Sequence, residues 1–171
     1  MKMTDLFLAQ LEREAKVSRR ALEKVPDGRR DYKPHEKSMP FGYLSTLVAS
    51  MPSWIALAIT QDELDINPPG GSKHRPKDVT TNRELIEMGE EAVAKARAAL
   101  EGTNDEHLLT RWKLLAAGRT VAEDPRHVVI EDTFTHLAHH RGQLTVYLRL
   151  NGALVPSVYG PSADDRGFAS S

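Results

Sequence analysis

No cysteine occurs in the 171 residues. That absence excludes a disulfide framework, a thiolate nucleophile and any Cys-ligated zinc or iron–sulfur centre. An excess of one charge is missing too: 23 Lys plus Arg stand against 24 Asp plus Glu, a formal charge of −1. Nucleic-acid binders carry a clustered basic face, so no nucleic-acid partner is expected. No uninterrupted apolar run approaches the roughly 18 residues of a membrane helix. No membrane partner is expected. The N-terminal MKMTDLFLAQLERE turns acidic and amphipathic, unlike an apolar signal core. The expected location is the cytoplasm. Gly-rich phosphate loops, a Ser nucleophile elbow and a dinucleotide fingerprint are absent as well.

What remains is an ordinary globular composition, 40% hydrophobic and 27% charged, in a length that suits one domain. Caps, breakers and apolar spacing predict four long helices. The first runs from about Asp5 to Val25, with Leu8, Leu11, Ala15, Leu22 and Val25 at three- and four-residue steps. A Pro-restricted connector, DYKPHEKSMP, leads to a second, nearly all-apolar helix over about Phe41 to Thr60. Pro52 lies inside it and costs the hydrogen bond to the Val48 carbonyl, which predicts a kink. Residues Gln61–Thr80, with Pro68-Pro69-Gly70-Gly71, form a long polar crossing. A third helix follows over about Asn82 to Leu100. Residues Leu108–Ala122 read as an irregular loop or a short hairpin around Ala117-Gly118. A fourth helix is expected to start at Asp124-Pro125, a cap followed by proline, and to end near Leu150. The expected fold class is all-α, a four-helix bundle with a long crossover after helix two and an irregular insert before helix four. One domain spans 1–171, a bundle over 1–155 and an irregular tail over 156–171.

Three of the seven histidines fall in one short segment of the fourth helix, Thr135-His136-Leu137-Ala138-His139-His140. His136 and His140 are four apart, so a helix puts both imidazoles on one face within reach of one ion. Gln143 and Tyr147 continue that stripe, and Ile130, Phe134, Leu137, Leu144 and Leu148 form an apolar line beside it. His136 and His140 are therefore the candidate metal ligands. His-x-x-x-His alone is equally the pattern of two hydrogen-bonded, half-buried histidines, and a metal centre needs a third protein ligand. His139 points about 60° away in projection. Asp132 is four residues before His136, yet about 12 Å along the axis from His140, so it cannot complete the set. It is placed to orient His136 from the previous turn.

The block HLAHHRGQLTVYLRLNGALVPSVYGPSADD, with DYKPHEKSMPFGYL and MPSW upstream, resembles the DinB superfamily over essentially the whole chain. The resemblance implies a four-helix bundle with a long crossover, a homodimer, and a divalent metal (Zn, Ni or Fe) on three histidines. Two of those match His136 and His140. The third normally precedes the Pro-x-Trp element, and Leu47 stands in its place. Metal binding is thus expected to be weak or absent. Two functions follow. One is a metal-dependent hydrolase or thiol S-transferase with a degenerate site, acting on a small molecule. The other is a non-catalytic dimeric bundle that binds a small molecule or a protein partner.

Overall fold

The computed structural model describes residues 2–71 and 79–166. Part of the Gln61–Thr80 crossing and the last five residues of the tail lie outside them. Among the described residues six helices and three strands follow in order: α1 (Met3–Leu22), α2 (Phe41–Ser50), α3 (Ser53–Thr60), β1 (Glu63–Asp65), α4 (Asn82–Glu101), α5 (Asp105–Leu108), β2 (Arg111–Ala116), β3 (Arg119–Pro125) and α6 (Arg126–Leu150).

Local signals placed the long helices well. Thr81 caps α4, and Glu84 reaches back to the Thr80 and Thr81 amides, which fixes its start. The expected kink at Pro52 is a full break between α2 and α3, whose axes differ by 50°. No single helix among the described residues is long and apolar enough to cross a membrane. The helices share two buried clusters. Leu22, Phe41, Leu44, Val48, Leu137, Leu144 and Leu148 build one, while Leu11, Ile55, Leu100, Leu108, Ile130 and Phe134 build the other.

The fold is mostly helical but not all-α. The stretch Leu108–Ala122, expected as an irregular loop or a short hairpin around Ala117-Gly118, forms the β2–β3 hairpin, with α5 just before it, and β1 adds to β2 in parallel, giving the order β1-β2-β3. The hairpin turns on Ala117 (φ 52°) and Gly118 (φ 75°), both left-handed, as a tight two-residue turn between twisted strands requires. The Asp65 carboxylate accepts from the Ala117 and Gly118 amides at 3.0 and 2.7 Å, which anchors β1 to the turn and explains why alanine is tolerated there. Asp124-Pro125 ends β3, and α6 starts one residue later than expected, at Arg126, with Pro125 instead of Asp124 in the cap position and no side-chain cap bond. Buried Arg126 binds the Ala58 and Gln61 carbonyls (2.6 and 2.5 Å), Asp62 Oδ1 (2.5 Å) and Thr110 Oγ1 (2.8 Å). One guanidinium thereby satisfies orphan carbonyls at the end of α3 and joins it to the start of α6.

Candidate functional site

The histidine pair lies midway along α6. His140 is 8% exposed, whereas His136 stands open to solvent on one side and edge-on to Trp54 of α3 on the other, with ring centres 5.6 Å apart. Their Nε2 atoms meet at 2.8 Å, as the four-residue spacing on one helix face allows. His139 stays exposed and touches only the flank of the pair, 5.0 Å from the His140 ring centre.

Hydrogen bonding fixes how the protons sit. His140 Nδ1 lies 2.8 Å from Gln143 Oε1. A carbonyl oxygen only accepts, so Nδ1 of His140 donates and its Nε2 carries the lone pair. His136 Nε2–H then donates to that lone pair, which leaves His136 Nδ1 as the free acceptor. The tautomers are assigned from the network in this way. The chain Gln143–His140–His136 is one line of oriented dipoles ending at a basic nitrogen. Sequence reading put Gln143 on the stripe without this role; its signal was the three-residue step from His140. Asp132 shares a cavity wall with His136, but the bond that orients the pair comes from Gln143.

Burial pushes the His136 pKa down from its ordinary 6.5, and the adjacent His140 and His139 imidazoles push it further the same way. A histidine whose folded pKa is depressed resists protonation while the unfolded chain takes up the proton. Stability is then complete above about 6.5 and falls as pH drops below it. The His136 ring resonance should titrate below 6.5 by NMR. In His140→Asn the midpoint should move up only part of the way, because burial remains. A midpoint at or above 6.5 in the wild type would contradict this account.

Beside the pair opens a cavity of about 380 Å³. Strand alternation builds its roof. Leu64, Leu114 and Ala122 are register partners across β1, β2 and β3, Trp112 pairs with Asp124 on the same face, and all five line the cavity. Trp54 and Leu57 from α3 and Val129, Asp132, Thr133 and His136 from α6 complete the wall. Sequence reading missed this cavity entirely. Trp112 is 7% exposed, and its indole N–H is buried without a hydrogen-bond partner.

A metal held by three protein ligands does not fit these residues. Among the described residues no group of three or more His, Asp or Glu side chains converges for an ion. Leu47, half-buried against the first cluster, offers hydrocarbon. The two Nε2 atoms do approach the roughly 3.3 Å span of two nitrogens on a tetrahedral ion, so the pair alone suits a two-imidazole chelate.

The model of the DinB family matches residues 1–166. Similar solved structures include a DinB-like protein from Bacillus subtilis, with TM-score 0.69 at 20% identity over 94% of this chain and 99% of that one. Another is a DinB-like protein from Bacillus cereus, with TM-score 0.68 at 19% identity over 90% and 95%. More distant is the mycothiol-dependent maleylpyruvate isomerase, with TM-score 0.50 at 11% identity over 90% and 62%. No curated protein shows a significant match. At these identities the likeness is one of fold.

Proposed function

Because the chain belongs to the DinB family, we propose that it receives a small molecule in the cavity beside His136, with the Gln143–His140–His136 chain as its proton-accepting floor. The carrying observation is the Nε2···Nε2 contact of 2.8 Å at the edge of a 380 Å³ cavity. Clefts of this size with a few converging polar groups are the usual form of small-molecule sites. A neutral imidazole there can take a proton from a thiol or a water, the first step of a thiol-transfer or hydrolytic reaction. The mycothiol-dependent neighbour supports the thiol alternative at the level of fold only. A divalent cation is held weakly, by two imidazoles and solvent. Leu47 in place of a third ligand favours the second reading, a binding protein without catalysis.

Calorimetric titration with zinc and with nickel tests the pair. Wild type should show weak binding, and His140→Ala should show none. Gln143→Leu should bind about 10–100-fold more weakly than wild type, the usual cost of losing a ligand's orienting partner. Metal binding unchanged in His140→Ala would remove the pair from the site.

A further inference from the structure

The same cavity has a charge preference built into its walls. Its lining is largely apolar, with Trp54 and Trp112 beside Leu57, Leu64, Ile66 and Leu114. Its ionisable residues are Asp124 from the end of β3, Asp132 from α6, and His136. No lysine or arginine lines it among the described residues. Two carboxylates from different elements, with no cation among the described lining residues, set the sign of the potential in the cavity. Low-dielectric walls focus such a field.

We infer that the cavity selects small molecules with an apolar, ring-sized body and a cationic head of the ammonium type, the head lying toward Asp124 and Asp132. This rests on reading the cavity as the small-molecule site, and it deepens that reading by excluding anionic ligands of the same shape. The two carboxylates approach from different elements, one on the sheet and one on the helix. The preference is therefore a product of the β2–β3 hairpin docking over α6. Each aspartate is exposed on its other side, so neutralising them leaves the core clusters untouched.

Both tryptophans of the chain line the cavity, so intrinsic fluorescence reads its occupancy without a label. The probes are phenylbutylamine, phenylbutanol and phenylbutyrate, which share one body and differ in head-group charge. The amine should saturate the signal at the lowest concentration, and the acid should need about tenfold more or worse, a gap of roughly 1.4 kcal/mol. In Asp124→Asn/Asp132→Asn the amine and acid should converge on the alcohol. Added salt should weaken the amine more than the alcohol. An acid that binds as well as the amine, or a gap that persists in the double variant, overturns the charge preference alone and leaves the cavity in place. Saturation by none of the three overturns the cavity as a small-molecule site and the preference with it.

Discussion

Arg141→Ala should lose roughly 3–5 kcal/mol of folding stability, the usual result of stripping one partner from a buried ion pair. In a chain of this length that is a fall of roughly 6–20 °C in Tm. Arg141 is fully buried at the centre of α6. Its Nη2 donates to Glu14 Oε2 at 2.6 Å and to the Tyr159 hydroxyl, and its Nη1 donates to Ser18 Oγ at 2.8 Å. Tyr159 in turn donates to the same Glu14 oxygen at 2.7 Å. Removal of the guanidinium strands a carboxylate that is 5% exposed. Burial alone would push the Glu14 carboxyl up, but the hydrogen bonds from Arg141 and Tyr159 and the Arg141 charge outweigh it and hold the group below 4.5. Its stabilising share is present above 4.5 and fades as pH falls through the folded pKa.

Arg141→Ala also removes one of the two bonds that hold Tyr159 in the irregular tail, so the segment after Leu150 should become more sensitive to limited proteolysis. Replacing both partners, as Arg141→Met with Glu14→Met, should recover most of the loss, since no unpaired charge then remains. Urea denaturation measures each variant. A single substitution within about 1 kcal/mol of wild type would mean that the pair is not a buried charge pair in solution.

Leu47→His should tighten zinc and nickel binding far more than any other single substitution in α2. Ligand count decides the difference. Two imidazoles on α6 leave the remaining positions of an ion to water, whereas three protein ligands plus one open position is the usual catalytic zinc arrangement. Leu47 belongs to α2, which packs on α6. Leu47 also packs against the first core cluster, so an imidazole there gives up apolar contact and the metal-free variant should be less stable than wild type. A thermal melt separates the two effects. Zinc at a hundredfold over Kd adds about 2.7 kcal/mol of stability, so metal should raise the Tm of Leu47→His well above its metal-free value. At that same zinc concentration wild type should move little. Equal, tight binding by both proteins would reveal a ligand that already completes the site.

What the sequence determined by itself is what depends on near neighbours. The Thr81–Glu84 cap, the break at Pro52 and the common face of His136 and His140 all arise from residues within one or two turns, where chain geometry leaves few alternatives. The family, too, was legible in the HHRGQL block and the tail that follows it. Tertiary structure decided the rest. Asp124-Pro125 is as good a helix start as a strand end, and only pairing with Arg111 and Trp112 chose the strand. β1 has three residues, too few to show a period, and it exists because β2 lies beside it some fifty residues later in the chain. The cavity follows from that pairing, since its roof is the face that the three-strand register turns toward α6. The buried partner of Arg141, Glu14, lies 127 residues away in the chain and could be named only once α1 and α6 were side by side. Local hydrogen bonds and helical period are written in adjacent residues; contacts between distant segments are selected by the packing of the whole core, which no window of sequence contains.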